Sequence, residues 1–275
     1  MATTFPSPGA TLLETPLAGD QPLVQIEDVV LRFGTKTVLD GISFTVRRGE
    51  RLVVMGQSGG GKSTLLRLVV GILKPSSGRV LFAGTDVARL TRRQLNAMRA
   101  RLGMVYQYSA LISSLNVRDN LALPLEELTE KSTAEINELI RERLAAVDMS
   151  GSEDKMPSEL SGGMRKRVGL ARALMLEPEL ILYDEPSAGL DPVTSSVIDE
   201  LIVDTSVRTK SSAIIVTHEM DSAFRIATRM VMLYQGKIIA DDTPEHFRHS
   251  ENEVVAQFVS GSTHGPIGEA AHQRK

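Results

Sequence analysis

The sequence contains no cysteine. That excludes a disulfide framework, a zinc–thiolate site and an iron–sulfur cluster, and it suits a reducing cytoplasm. No apolar run approaches the roughly 18–20 residues needed to span a bilayer. The best candidate, LLRLVVGIL at 65–73, is short and contains Arg67. The opening MATTFPSPGATLLETPLAGDQP has neither a basic n-region nor a compact apolar core, so it does not read as a secretory signal. Its prolines, glycines and threonines predict a disordered leader over 1–22. The stretch from Gly261 onward has the same character, within a C-terminal extension at 248–275 expected to be partly disordered. A net charge of -3 argues against a chain held on nucleic acid by its overall charge, and no nucleic-acid partner is expected. There is no internal repeat and no long heptad insertion.

Between these ends the pattern is α/β. VQIEDVVLRF (24–33) and GISFTV (41–46) alternate apolar and polar residues, as half-buried strands do. RLVVMG (51–56) is a short apolar run ending in glycine, and the helical STLLRLVVGIL (63–73) follows a loop. RVLFAG (79–84) adds a strand. Thr91 with Gln94, and Ser132 with Glu135, have the spacing of capping boxes. The second predicted helix places Ile136, Leu139, Ile140, Leu144 and Val147 on one face. LILYDE (180–185) and AIIVTH (213–218) are continuous apolar runs ending in polar groups, the pattern of buried parallel strands whose C-terminal ends face ligands. RMVMLYQGKIIA (229–240) reads as a hairpin turned at Gln235-Gly236. A helical section from about 115 to 175 interrupts the strands and reads as an inserted subdomain.

GQSGGGKST (56–64) fits G-x-x-x-x-G-K-[ST] from Gly56 to Ser63, in the required setting of strand, loop, helix. Gly59, Gly60 and Gly61 let the backbone wrap with its N–H groups inward, while Gln57 and Ser58 complete the loop. The helix behind points its positive end at the same place. Lys62 supplies a point charge for β- and γ-phosphates, and the Ser63 hydroxyl suits Mg²⁺, with Thr64 beside it. In LILYDEP, Asp184 is placed to hold Mg²⁺, and Glu185 to orient and deprotonate an attacking water. A second glycine turn, SELSGGMRKR (158–167), also opens a helix. Its Arg165, Lys166 and Arg167 read as a solvated helix face.

With LSGGM (160–164), Asp184-Glu185, Gln107 after an apolar strand and His218 closing another, the chain resembles the ATP-binding-cassette (ABC) ATPases over about residues 24–245. The resemblance implies a P-loop α/β fold with a mainly parallel core sheet, an N-terminal antiparallel β-subdomain and a helical subdomain at about 108–175, the whole domain covering 23–247. It implies two copies stacked head to tail, with ATP and Mg²⁺ sandwiched between them. The loop at 56–64 of one copy would hold the phosphates, and Ser161, Gly162 and Gly163 of the other would close over the γ-phosphate. Phe33 matches the aromatic that stacks on adenine. Gln107 matches the glutamine that senses Mg²⁺ and links to the membrane partner. His218 matches the switch histidine, and SAGLD (187–191) the loop that crosses the dimer interface, where Asp191 and Pro192 also start a helix. The catalytic set implied is Glu185, His218, Lys62 and Gln107, and the metal set is Ser63, Gln107 and Asp184.

Met164 departs from the usual glutamine of the family. Together with MPSELSGGMRKRVGLARAL (156–174), YSALISSLNVRDNLALPL (108–125) and the tail QFVSGSTHGPIG (257–268), it is similar to the ATPases of Mla/Mce-type lipid transporters. That branch implies integral membrane permease subunits, an Mce-domain lipid-binding protein, and a peripheral place on the cytoplasmic face of the inner membrane. In the tail, Phe258 and Ile267 are expected to need an apolar partner, with the second copy as the candidate. Transport of an amino acid or metal, a soluble role of the iron–sulfur assembly kind, and a regulatory nucleotide-binding subunit remain open alternatives.

Overall fold

The computed structural model describes residues 21–267. The leader expected at 1–22 falls almost wholly outside the described residues, as does the extension beyond Ile267. In chain order the first elements are β1 (Val24–Phe33), β2 (Lys36–Val46), β3 (Arg51–Met55), α1 (Lys62–Val69), β4 (Ser77–Phe82) and β5 (Thr85–Asp86). Then come α2 (Arg92–Arg99), β6 (Leu102–Val105), α3 (Val117–Leu128), α4 (Thr133–Ala145), α5 (Gly162–Ala173), β7 (Leu180–Asp184) and α6 (Pro192–Thr209). The chain closes with β8 (Ser212–Thr217), α7 (Met220–Ile226), β9 (Arg229–Tyr234), β10 (Lys237–Asp242), α8 (Pro244–Arg248) and α9 (Glu253–Ser260). Backbone contacts divide the described residues into two compact units, one of 22–88 with 212–267, the other of 89–211.

The first unit holds an antiparallel sheet in the order β2-β1-β4-β5. It also holds β3, which pairs in parallel with β8 on one side and β9 on the other. Leu52, Val53, Val54 and Met55 of β3 are all buried, the expected result for a run with no polar alternation in a strand covered on both faces. The β9–β10 hairpin turns at Gln235 (φ 50°) and Gly236 (φ 81°), the paired positive angles of a type I′ turn. Helix α1 is shorter than the apolar run predicts. It stops at Val69 because Gly71 takes a left-handed conformation (φ 67°) and Pro75 lies just beyond.

In the second unit β6 and β7 run parallel, flanked by α2 and α5 on β6. Both predicted capping boxes form: Thr91 with Gln94 at α2, and Ser132 with Glu135 at α4. Ile136, Ile140, Leu144 and Val147 are buried, while Leu139 is half-buried at the edge of that stripe. The fold is α/β with mainly parallel core strands, an N-terminal antiparallel β-subdomain and helices α3–α5 between β6 and β7.

Asn120, on α3, is wholly buried and secures the loop before that helix. Its Oδ1 accepts from Ile112 N at 2.8 Å, and its Nδ2 donates to the carbonyls of Ile112, Leu115 and Asn116 at 3.1, 3.0 and 2.9 Å. Asn120→Ala strands Ile112 N and Leu115 O, each at a cost of about 1–3 kcal/mol when buried, whereas the Ile112 and Asn116 carbonyls keep the amides of Leu115 and Asn120. Chemical denaturation of that variant should show a stability loss of about 2–4 kcal/mol. A loss no larger than that of an exposed Asn→Ala change would contradict the role assigned to Asn120.

Candidate nucleotide site

The first unit carries Phe33, the 56–64 loop and His218. Register places Met55 of β3 beside Thr217 of β8, so Gly56 and His218 leave their strands at the same edge. The turn that follows β3 is dictated by space. Gly56 has φ 147°, and a Cβ there would stand 2.1 Å from the Leu233 carbonyl oxygen. Gly61 has φ 100°, and its Cβ would stand 2.9 Å from Leu39 Cδ2. At Gly56 a side chain is excluded by the backbone it would meet, and at Gly61 the left-handed φ disfavours one, so the loop can turn its main chain toward an anion. Gly61 precedes α1, so the positive helix end opens onto the loop. Lys62 is buried, and its Nζ donates to Gly56 O at 2.7 Å and Gln57 O at 3.1 Å. These bonds hold the ammonium inside the curve of the loop. Ser63 and Thr64 are half-buried in the first turn of α1. Phe33 ends β1 with 52% of its surface exposed, a free aromatic face at a strand end. His218 is exposed and lines one surface depression together with Gln57, Ser58, Phe258 and Ile267.

The second unit carries Gln107, Ser161–Gly163, Asp184 and Glu185. Val105 of β6 pairs with Tyr183 of β7, so the segments holding Gln107 and Asp184-Glu185 also leave at one edge. Glu185 is buried and has φ 49°. A left-handed glutamate costs of order 1–3 kcal/mol and persists only where its surroundings hold it. Burial pushes the neighbouring Tyr183 hydroxyl well up from its ordinary value.

The turn at 161–163 is built as a helix start. Ser161 caps α5, its Oγ accepting from Met164 N at 3.2 Å, and Ser161 and Gly162 are exposed. The Met164 main chain thus takes part in the cap whatever its side chain does. Gly163 lets α5 meet α6: a Cβ there would stand 2.6 Å from Thr194 Cγ2. Asp191 caps α6, accepting from Val193 N, Thr194 N and the Thr194 hydroxyl at 3.1, 3.0 and 2.6 Å. The Thr194 hydroxyl above all, and then its amide, hold the Asp191 carboxyl below its usual value.

Lys166 departs from the solvated face that the run of basic residues predicts. It is not on a solvated face but is 6% exposed, with its Nζ donating to the main-chain carbonyls of Gln107 and Glu185, the latter at 3.2 Å. Its helical spacing to Gly169 and Leu170, both buried, was the available signal. Arg165 and Arg167 are half-buried; Arg165 donates to Leu160 O and Arg167 pairs with Asp148.

The model of the ABC transporter family matches residues 39–188. The chloroplastic protein TRIGALACTOSYLDIACYLGLYCEROL 3 of Arabidopsis thaliana is 41% identical over 262 residues, covering 89% of this chain and 75% of that one. MlaF of Haemophilus influenzae, an intermembrane phospholipid transport system ATP-binding protein, is 37% identical, covering 90% of this chain and 94% of its own. The probable ribonucleotide transport ATP-binding protein mkl of Mycobacterium leprae is 38% identical, covering 89% and 71%. A solved dimeric post-hydrolysis state of an ATP-binding cassette bound to ADP and phosphate has a TM-score of 0.74 at 28% identity, covering 80% of this chain and 98% of that one. The chain belongs to the ABC transporter family, whose members bind ATP and hydrolyse it.

Proposed function

We propose that this ATPase powers a transporter moving phospholipids or related hydrophobic molecules between membranes. The observation that carries the ATPase part is the pair of glycine-led helix starts, at α1 and α5, in one chain. Each offers backbone N–H groups and a positive helix end to an anion. The lipid part is supported by the likeness to MlaF over nearly the whole of both chains.

In this reading two copies form a symmetric dimer that shares each nucleotide. Phe33 stacks on the adenine. Gly56, Gln57, Ser58, Gly59, Gly60, Gly61, Ser63 and Thr64 cradle the phosphates, and Lys62 exchanges its carbonyl partners for phosphate oxygens. Ser161, Gly162 and Gly163 of the second copy close over the γ-phosphate. Glu185 takes the proton of the attacking water as the new P–O bond forms and the β–γ bridge breaks; His218 and Gln107 hold that geometry. Ser63, Gln107 and Asp184 are oxygen donors suited to Mg²⁺, which supplies neutralisation of the phosphate charge.

Among the described residues no helix is long and apolar enough to cross a membrane. The coupled partner in this reading is an integral permease, docked on the segment after Gln107. Tyr108 there is 85% exposed, and Ile112, Leu123 and Leu128 are also exposed. An Mce-domain lipid-binding protein completes the assembly, with the ATPase at the cytoplasmic face of the inner membrane. Residues 23–247 form the ATPase domain, about 108–175 its helical subdomain, and 248–275 the extension.

Glu185→Gln should lower turnover by roughly 10²–10⁴-fold while ATP binding persists; near-normal turnover would remove the role given to Glu185. Ser161→Arg should abolish turnover and spare ATP binding by the isolated chain. Lost binding in a folded variant would contradict a shared site. For the cargo, the tagged protein is purified from detergent-solubilised membranes and its bound proteins and lipids are identified by mass spectrometry. A permease, an Mce-domain protein and enriched phospholipid are expected. Recovery with soluble partners alone would overturn the transport role and leave the ATPase chemistry standing.

A further inference from the structure

Of the buried and half-buried cations on helix α5, Lys166 and Arg172 hold main chain of the 107–110 segment, a task outside the hydrolytic reading above. Lys166 donates to the carbonyls of Gln107 and Glu185. Arg172 donates through Nη1 to Ala110 O at 2.6 Å and through Nη2 to Ser109 O at 2.9 Å. Between them Gly169 brings the helix against the same loop: a Cβ there would stand 3.4 Å from Ser109 Cβ.

What these cations hold is backbone in an unfavourable conformation. Ser109 and Ala110 are consecutive non-glycine residues at φ 60° and 47°, and Glu185 has φ 49°. Two adjacent left-handed residues do not maintain themselves, because each Cβ crowds the following carbonyl. Bonds from charged donors to the carbonyls of this loop oppose that tendency and are stronger than neutral ones. They grip main chain rather than side chain. The backbone thus fixes where the Gln107 and Glu185 side chains leave.

The same helix begins at the Ser161 cap. A helix of 12 residues is a rigid rod about 18 Å long. A displacement of the Ser161 end is thus carried to the loop at 107–110 and to Glu185. We propose that Lys166 and Arg172 form a cation–carbonyl clamp through which α5 sets the positions of Gln107 and Glu185. Lys166 is then a positioning residue for hydrolysis, and Arg172 the anchor of the permease-facing loop. The proposal rests on the ATPase reading of Glu185 and Gln107. It extends that reading by naming what ties the Ser161 turn to both.

The test uses the full chain and compares Lys166→Met, Lys166→Gln and Arg172→Lys. Steady-state ATPase kinetics are read beside hydrogen exchange of the peptide 106–112. Lys166→Met should lower kcat by roughly 10–100-fold, the scale of a small misplacement at a reacting centre, with KM for ATP within about threefold. Exchange of 106–112 should quicken while that of 24–46 stays unchanged. Lys166→Gln keeps two N–H donors on one nitrogen and should recover most of the lost kcat. Arg172→Lys keeps the charge but cannot hold two carbonyls with a planar fork, so exchange of 106–112 should quicken there too. Wild-type kcat in Lys166→Met overturns the clamp, as does a Lys166→Gln variant equally damaged with unaltered exchange at 106–112. Should Lys166→Met fail to fold, unaltered exchange in Arg172→Lys overturns it. An inactive Glu185→Gln beside a fully active Lys166→Met refutes the clamp alone, whereas an active Glu185→Gln removes the role given to Glu185 and the clamp with it.

Discussion

Main-chain amides can surround an anion only where the chain turns without side chains in the way. That constraint governs the turn after β3. Gly56 passes so close to Leu233 that a methyl group would overlap its carbonyl oxygen. The position of β9, the pairing of β3 with β8 and β9, and the packing of Leu39 on Gly61 all serve this one approach. Lys62 then lies inside the curve because its backbone is the first residue of α1 and its acceptors are the loop's own carbonyls.

The second glycine turn follows a different design. At α5 Gly163 clears Thr194 of α6 rather than a strand, and a serine supplies the cap that glycine supplies at α1. Ser161 and Gly162 remain exposed, so this helix start presents its donors outward. Gln57, Ser58 and Gly59 of the first turn are exposed as well, and a chain with two exposed phosphate-type turns is suited to sharing its ligand with a second copy. The similarity to a dimeric cassette bound to ADP and phosphate agrees with that design.

Much of this was legible in the residues. Capping boxes at Thr91 and Ser132, the Gln235-Gly236 turn and the buried strands at 180–184 and 212–217 all follow from local rules that tertiary structure did not override. Glycine spacing at 56–61 announced the loop because Gly56 has no room for a Cβ and Gly59 and Gly61 take left-handed angles. Lys166 and Asn120 were not legible in the same way. Their partners are main-chain carbonyls and amides, which every residue possesses, so no residue type elsewhere betrays the bond. Basic residues in a row suggested solvent, and only the burial of Gly169 and Leu170 beside Lys166 reverses that inference. The left-handed conformation of Glu185 was equally hidden, since glutamate carries no sequence signal for it.

The claim on which the whole account turns is that one nucleotide is served by the lysine loop of one copy and the serine turn of another. Mixing two variants, Lys62→Ala and Ser161→Arg, tests it directly, because their heterodimer retains one site with both parts intact. The mixture is expected to hydrolyse ATP well above the rate of either variant alone, rising as subunits exchange. A mixture no faster than the average of the two separate preparations, with heterodimers demonstrably present, would contradict it.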